Sequence, residues 1–441
     1  MTGVLLGTTF SILLLFLGAA VYIGATLGSL GLILGFIFSD RPLYMAIGDL
    51  AWTPSTSFVL VAVPLFILMG EILLRSGITD RLYTSLGGWL NFLPGGLMHT
   101  NIASCSVFAA VSGSSVATAA TIGTVALPAF ERAGYNERLV LGSLAAGGTL
   151  GILIPPSINM IIYGLLTDTS IGRLFFGGFI PGFMLAGIFM LFIAAAAGVN
   201  PGVAPKEVLP SMRERIKGLS NILPMVFLIL LVMGSIYLGW ATPTEAAALG
   251  VVGSLVLAIV FRRLNFKMLS ESTESTARTG AMVTFIVIGA FLFNFFITAL
   301  GLPRAITSAI TELGIPPLAT LGLLIIFYLV LGMFMETLSI MVTTLPVTFP
   351  VIHHLAMENP EIRVFDPVAY GILFVILIES ALITPPVGVN LYVIQGIRKT
   401  VGPMTDVIVG AVPFFICMII MMGIIVAFPD LALWLPNLVF D

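Results

Sequence analysis

The sequence predicts an all-α polytopic membrane protein built from two inverted repeats, each with a re-entrant helical hairpin and a proline-broken helix. Three observations support this prediction: the composition, the placement of basic residues and landmarks that recur in both halves. Of the 441 residues, 59% are hydrophobic and 9% are charged, whereas a soluble domain carries about 25% charged residues. The mean hydropathy is +1.14. A chain of this composition is expected to lie mainly within a lipid bilayer.

The apolar runs set the order of the elements. The first covers residues 4–40 and predicts one long helix or two short ones, because it is too long for a secretory signal peptide and has no basic segment before it. Later runs are long enough to cross the hydrocarbon core of a membrane, which takes about 20 residues. They fall near residues 57–74, 137–165, 171–199, 219–239, 244–262, 278–300, 367–395 and 405–429.

Two stretches predict hairpins that enter the membrane and return on the same side. Residues 99–130 begin at His99 and are followed by Glu131. This length is short for two crossings of about 20 residues each, but it suits a re-entrant hairpin. Its centre, VSGSSVATAATIGT, consists mostly of small and hydroxyl residues, which allow close packing and offer oxygen ligands. Residues 316–353 are predicted to form the second hairpin.

Basic residues predict the orientation. They cluster in two loops separated by two crossings, so both loops lie on one face, which the positive-inside rule makes cytoplasmic. Arg398 and Lys399 fit the same face if both chain termini are periplasmic. The linker 201–217 then separates repeats 1–200 and 218–441, and repeats with odd numbers of crossings must be inverted. The basic residues of the two loops are Lys206, Arg213, Arg215 and Lys217, and Arg262, Arg263 and Lys267.

Four landmarks recur in the same order and at nearly constant spacing in the two halves. One such match could arise by chance in a chain rich in Gly and Pro, but four in order indicate an internal repeat. The pairs are GITDRLYTSLGGWLNFLP with GLPRAITSAITELGIPP, SGSSVATAATIGTVALP with METLSIMVTTLP, GILIPPSINMIIYG with ALITPPVGVNLYVIQG, and GGFIPGF with VGAVPFF.

Two proline pairs interrupt apolar segments at matching positions, IPPS at 154–157 and TPPV at 384–387. Proline removes a backbone donor, and hydrocarbon cannot satisfy the freed groups. Paired breaks of this kind are typical of a transporter's midplane site, although kinks closed by neighbouring helices are the alternative. We predict broken helices over 137–165 and 367–395. The candidate Na⁺ ligands at the breaks are Gly151, Ile154, Pro155, Thr384, Pro385 and Gly388.

The hairpin tips, Ser112–Thr118 and Met335–Ile340, are predicted to complete these sites. Carbonyl and hydroxyl oxygens suit a hard cation, and helix N-termini attract anions. Alternatively, the small tip residues only pack helices together. The Na⁺ candidates at the tips are Ser114, Ser115, Glu336 and Thr337. The candidates for a substrate carboxylate are Ser112, Thr118, Ser157, Asn159, Ser339, Glu379 and Asn390.

The remaining ionisable residues have simpler interpretations. Glu71 lies four residues before Arg75, which predicts a pair along one helix face. Glu245 follows Thr242–Pro243 and is expected to stabilise a helix N-terminus. The pair His353–His354 is predicted to face the surface and not to bind metal.

Several absences narrow the function. The sequence has no P-loop and no H-E-x-x-H motif, and no basic tract for nucleic acid. The segment SGSSVAT could suggest a nucleophilic serine, but no histidine in the apolar core could activate it, so an intramembrane hydrolase is a weak alternative. Cys105 and Cys417 show no disulfide or metal spacing.

Several segments also resemble a known family: AVSGSSVATAATIGTVALP, ERAGYNERLVLGSLAAGGTLGILIPPS, WATPTEAAALG and LITPPVGVNLYVIQGI. The chain resembles, over essentially its whole length, the large membrane subunit of TRAP (tripartite ATP-independent periplasmic) transporters. The resemblance implies a Na⁺-driven importer of organic acids, such as C4-dicarboxylates or sialic acids, in the bacterial inner membrane. It also implies two protein partners, a small four-helix membrane subunit and a periplasmic substrate-binding protein.

The same resemblance implies a scaffold and a transport domain that moves like an elevator, with helix breaks at Ile154–Ser157 and Thr384–Asn390. Two alternatives stay open at this stage. A stand-alone ion-coupled carboxylate symporter would need no binding protein, and coupling to protons could run through Glu336 or Glu379.

Overall fold

The structure, a computed structural model, describes residues 2–205 and 210–440. Lys206, one of the predicted cytoplasmic basic residues, lies outside the described residues. Within them the chain forms helices and connecting segments. The helices of the first half are α1 (Thr2–Gly18), α2 (Ile23–Phe38), α3 (Ile47–Ser55), α4 (Ala62–Arg75), α5 (Ile78–Leu90), α6 (Leu97–Ser112), α7 (Ser115–Ala133), α8 (Glu137–Leu153), α9 (Ile158–Thr167) and α10 (Ile171–Val199).

The second half follows the same order of long crossings, hairpin and broken helix. Three short 3₁₀ helices lie at Leu43–Ala46, Pro201–Val203 and Arg363–Phe365. The helices of the second half are α11 (Met212–Tyr237), α12 (Pro243–Val260), α13 (Phe266–Ala299), α14 (Leu302–Glu312), α15 (Pro317–Gly332), α16 (Thr337–Glu358), α17 (Pro367–Ala381), α18 (Val389–Ile397), α19 (Met404–Ala427) and α20 (Asp430–Phe440).

Long apolar helices confirm the prediction of an all-helical polytopic membrane protein. Among the described residues six helices are long and apolar enough to cross a membrane: α10, α11, α12, α13, α16 and α19. The count reaches eight if the bent pairs α4–α5 and α8–α9 each make one crossing. The first apolar run, predicted as one helix or two, forms the two helices α1 and α2.

Two helix pairs reverse direction at short tips. The first pair is α6 and α7, joined at Gly113 and Ser114, and the second is α15 and α16. Gly113 has φ +59°, a left-handed conformation that favours glycine, and a Cβ there would lie 3.0 Å from the Pro156 carbonyl oxygen. Ser114 caps α7 by accepting the N–H of Ala117, at 3.4 Å.

Both proline pairs lie where a helix is broken. The pair α8–α9 bends by 43° around Ile154–Ser157. The second break separates α17 from α18 and covers Leu382–Gly388, so it begins two residues before the predicted Thr384 and ends before Asn390. Asn390 therefore belongs to the first turn of α18. Helices end before these prolines because a residue that precedes proline disfavours the α conformation.

The two broken helices run antiparallel. At one end Arg398 Nε, just after α18, donates to Glu137 Oε1 at the start of α8, at 2.8 Å. At the other end the Tyr163 hydroxyl of α9 donates to the carbonyl of Pro367, the first residue of α17, at 2.8 Å. The beginning of each broken helix therefore lies beside the end of the other.

The simpler ionisable residues lie as predicted. Glu71 and Arg75 form an ion pair along α4. Glu245 and Thr242 form a capping box at the start of α12. His353 is exposed, and His354 lies 3.2 Å from the Glu358 carboxylate.

Candidate functional site

A cavity of 610 Å³ lies between the two hairpin tips. Ser112–Ala117 of the first tip and Glu336–Ser339 of the second form one side, together with Asn159. Most of the remaining lining comes from α2, α4 and α13, and includes Glu71 and Phe285. Residues from both halves of the chain thus share one space.

The predicted substrate residues divide into two groups. Ser112, Asn159 and Ser339 line the cavity. The other four are buried or nearly so and do not line it within the described residues: Thr118, Ser157, Glu379 and Asn390. Of the predicted Na⁺ ligands, the four tip residues also line the cavity: Ser114, Ser115, Glu336 and Thr337.

Site 1 is the contact between the first tip, Ser112–Thr118, and the break Ile154–Ser157. The Thr118 hydroxyl donates to the Ser114 carbonyl and lies 2.8 Å from the Ser112 hydroxyl. Helix α8 approaches this tip closely, since a Cβ at Gly151 would lie 2.6 Å from the Ser114 carbonyl oxygen. The fold thus brings tip hydroxyls and carbonyls against the break.

Site 2 is the contact between the second tip, Met335–Ile340, and the break Leu382–Gly388. The Glu336 carboxylate caps α16 by accepting the Ser339 N–H at 3.2 Å, and it also accepts the Thr337 hydroxyl at 3.0 Å. The Val387 N–H of the break donates to the carbonyl of Met333, just before the tip, at 3.2 Å. Site 2 therefore differs from site 1 by carrying a carboxylate.

Thr384, Pro385 and Gly388 all belong to the second break. Thr384 donates its hydroxyl to the Ser380 carbonyl at 2.6 Å. Gly388 has φ +36°, again in the left-handed region, and it precedes the first residue of α18. Thr384 and Pro385 are half-buried, and they keep part of their surface open at the break.

Two asparagines occupy corresponding positions after the two breaks. Asn390 Nδ2 donates to the Ser115 hydroxyl at 2.8 Å and to the Ala145 carbonyl at 3.1 Å. Asn159 lines the cavity, and its Nδ2 has no hydrogen-bond partner in the described part of the chain. Both residues were predicted to bind the substrate carboxylate, but their surroundings in the structure differ.

Glu379 lies behind the cavity. It is fully buried in α17, beside the backbone of Ile152 and Leu153 at the end of α8. Neither carboxyl oxygen has a hydrogen-bond partner within residues 2–205 and 210–440. Such groups are rare in folded proteins, so this side chain is a candidate for protonation or ion contact.

Sequence reasoning missed the part of the cavity lining that α2, α4 and α13 supply. Glu71 was interpreted as one half of an ion pair with Arg75, but its carboxylate also accepts the Ser275 hydroxyl of α13 at 2.7 Å and faces the cavity. No spacing in the sequence connects α4 to α13. The contact arises from tertiary packing between the two halves.

The cavity is acidic. Its lining includes the carboxylates of Glu71 and Glu336, and among the described residues that line it there is no Lys, Arg or His. An anion bound here therefore has no basic side chain to pair with. The oxygens that line the space suit a hard cation instead.

Comparisons with known proteins show the family and the fold of the chain. The family model "Tripartite ATP-independent periplasmic transporter, DctM component" matches residues 10–431. The chain is 35% identical to the C4-dicarboxylate TRAP transporter large permease protein DctM of Pseudomonas aeruginosa, over 87% of each chain. It is 29% identical to the sialic acid TRAP transporter large permease protein SiaM of Vibrio cholerae, over 92% of this chain and 97% of the other.

A solved structure has the same fold. The YdaH transporter of Alcanivorax borkumensis superposes with a TM-score of 0.62 at 17% identity, covering 96% of this chain and 98% of that one. At this identity the match supports the architecture alone. The family model and the permease relatives show more: the chain belongs to the DctM component family of tripartite ATP-independent periplasmic transporters, and is a large membrane permease and not an enzyme.

Proposed function

We propose that this permease imports a solute that carries a carboxylate, in symport with Na⁺. As a TRAP large permease it is a multi-pass protein of the bacterial inner membrane, with a small membrane subunit and a periplasmic binding protein as partners. The membership favours this tripartite arrangement over a stand-alone symporter. The coupling ion, the solute class and the sites are our inference.

The acidic cavity between the two tips supports the proposal most directly. A carboxylate solute would meet the Glu336 carboxylate, and Glu71 with its charge offset by Arg75, without any basic side chain on the lining. Like charges in a site of low dielectric constant repel, so positive charge must come from elsewhere. Bound cations and the N-termini of α7 and α16 are the available sources.

We assign one Na⁺ to each site. At site 1 the ligands would be oxygens of the tip and of the helix end, and at site 2 the Glu336 carboxylate and oxygens of the longer break. The site 1 ligands are Ser114, Ser115, Gly151, Ile154 and Pro155. The site 2 ligands are Glu336, Thr337, Thr384, Pro385 and Gly388.

The solute would bind in the cavity, next to both ions. Ser112, Asn159 and Ser339 offer hydrogen bonds there. The relatives named above are a C4-dicarboxylate permease and a sialic acid permease, and both of these solutes are carboxylates. Four candidates are buried and would support the cavity lining from behind: Thr118, Ser157, Glu379 and Asn390.

We further propose that the tips and broken helices form a transport domain that moves against the remaining helices. The composition of the cavity lining supports this division, because part of it comes from the hairpins and part from α2, α4 and α13. The antiparallel broken helices support inverted repeats over 1–200 and 218–441. The linker 201–217 would then be cytoplasmic and both termini periplasmic.

Uptake by proteoliposomes tests the proposal. The vesicles hold the permease, its small subunit and the cognate binding protein, with a radiolabelled C4-dicarboxylate and a radiolabelled sialic acid as first solutes. We expect uptake that requires both an inward Na⁺ gradient and the binding protein. Uptake without the binding protein would favour a stand-alone symporter.

Proton coupling is the second candidate, and the buried, unpartnered Glu379 favours it. In the same vesicles, uptake driven by a pH gradient in the absence of Na⁺ would support protons. Such a result would overturn the sodium assignment and direct attention to Glu336 and Glu379.

A further inference from the structure

Asn390 joins elements that belong to different candidate sites. It lies in the first turn of α18, and its backbone N–H donates across the second break to the Leu382 carbonyl at 3.0 Å. Its side chain donates to the Ser115 hydroxyl of the first tip and to the Ala145 carbonyl of α8. One fully buried residue therefore contacts the second break, the first tip and the helix that leads to the first break.

The packing around this amide is specific. A Cβ at Gly148 would lie 3.0 Å from Asn390 Nδ2 and 2.6 Å from the Ala119 Cβ. Only a glycine in α8 leaves room for the amide between α7 and α8. The position of Ser115 thus depends on the position of α18, and hence on the geometry of the second break.

The corresponding residue of the first half does not make such a link. Asn159 occupies the first turn of α9 after the first break, as Asn390 does after the second. Yet Asn159 lines the cavity and its Nδ2 has no partner among the described residues. Of the two asparagines that follow the breaks, Asn390 is therefore the one that links the two halves.

We infer that Asn390 is a positioning residue that couples the two cation sites. The inference rests on the proposed assignment of one Na⁺ to each site. An ion at site 2 orders the second break, which fixes Asn390 and, through it, Ser115 at site 1. Because coupling between two sites is reciprocal, an ion at site 1 favours site 2 by the same factor.

The test measures sodium binding without a solute. The complex of this chain with its small subunit is purified in detergent, and its Tm is recorded while NaCl replaces choline chloride at constant ionic strength. A ligand that binds the folded state raises Tm with the logarithm of its concentration even above saturation, so Tm reports whether Na⁺ binds. The occupancy itself is measured on the same samples by equilibrium binding of radioactive Na⁺, and the Hill coefficient is taken from that curve. For the wild type we expect a Hill coefficient approaching about 2, the limit for two sites.

The variant Asn390→Ala should lower the Hill coefficient to about 1 and raise the half-saturating Na⁺ concentration by about 10-fold, within the usual range of coupling factors. Asn101→Ala, the matched control, removes another buried amide, which donates to the Ser143 hydroxyl at 3.3 Å outside the cavity lining, and it should keep the wild-type Hill coefficient. A merely structural role for Asn390 would lower Tm in choline and leave the Hill coefficient unchanged, and that result would overturn the inference. If Asn390→Ala does not yield folded protein, Asn390→Leu, of similar volume, is measured against the same two outcomes.

A wild-type Tm that responds equally to Na⁺ and choline would overturn the sodium assignment itself, before any Asn390 variant is considered. A Hill coefficient of about 1 for the wild type, with clear Na⁺ specificity, would leave sodium binding in place and overturn the coupling. The two failures are therefore distinguishable.

Discussion

Sites 1 and 2 are built on one plan but differ in charge and exposure. At site 1 the tip helix α7 is capped by the neutral Ser114, and every residue of the break Ile154–Ser157 is buried. At site 2 the tip helix α16 is capped by the Glu336 carboxylate, and Pro386 of the break is exposed. Under the proposed assignment, a cation at site 1 would be stabilised by neutral oxygens alone, whereas at site 2 a carboxylate would balance its charge.

This difference in charge and exposure predicts which kind of change weakens ion binding most at each site. A neutral, buried cage depends on the number and direction of its oxygens, because desolvation of the ion must be repaid by ligands. A site with a carboxylate depends mainly on that one charge. Changes in backbone geometry should therefore weaken site 1 most, and loss of charge should weaken site 2 most.

The largest effect is expected when the first break is repaired. Replacing Pro155 and Pro156 with alanine restores two backbone donors, so helical hydrogen bonds can form between α8 and α9 and withdraw carbonyls from site 1. We expect Na⁺-driven uptake in proteoliposomes to fall by roughly 100-fold, equal to about 2.7 kcal/mol of binding free energy.

The matched control for this change is Pro224→Ala, which removes a proline inside the crossing helix α11 and away from the cavity lining. It should leave uptake unchanged. The same double replacement at Pro385 and Pro386 should have a smaller effect, because that break is longer and partly exposed. Equal losses at both breaks would contradict the comparison, and wild-type uptake after repair of the first break would show that its carbonyls bind no ion.

The next effect tests the carboxylate of site 2. Glu336→Gln removes the charge and keeps a side-chain oxygen for the cap of α16. We expect the half-saturating Na⁺ concentration for uptake to rise by about 10-fold, or about 1.4 kcal/mol, while Glu336→Asp has a smaller effect. Glu245→Gln, at the helix start of α12 and outside the cavity, serves as the control. If Glu336→Gln titrates with Na⁺ like the wild type, the carboxylate is only a helix cap.

A smaller effect is expected at the neutral cap of site 1. Ser114→Ala removes one hydroxyl from the tip, and we expect the half-saturating Na⁺ concentration to rise by about 5-fold, the size of one neutral hydrogen bond or ligand. Ser170→Ala removes an equivalent cap, from α10, without touching the cavity. The role of Ser114 would be capping alone if both variants shifted Tm equally and neither shifted the Na⁺ dependence.

Much of the fold could be predicted from the sequence, because it follows from local chemistry. Apolar runs predict crossings, and prolines predict where helices end, as they do around Pro155. The second break was placed less accurately, starting at Thr384 and not at Leu382, because the helix unwinds before the proline and the sequence marks only the proline. The choice between one helix and two in residues 4–40 likewise needed the structure.

The site could be predicted only in part. Residues at the tips were found because hydroxyls and small side chains cluster in SGSSVAT, a local signal. The Ser115–Asn390 hydrogen bond and the position of Glu71 on the cavity wall were not found, because each depends on contacts between the two halves. The different surroundings of Asn159 and Asn390 show the same limit, since matching positions in a repeat need not have matching neighbours.

The smallest effect concerns the two ends where the broken helices meet. At one end Arg398, with a side chain 3% exposed, bonds to Glu137 and Asp406, whereas at the other a single neutral bond joins Tyr163 to Pro367. Tyr163→Phe should lower the free energy of unfolding by about 1 kcal/mol, seen as a lower Tm in detergent. Since Tyr163 and Pro367 do not line the cavity, the Na⁺ titration should stay as in the wild type. A shifted titration would mean that the packing of the two broken helices against each other sets the geometry of both sites. The contrast between sites 1 and 2 would then depend on that packing as a whole.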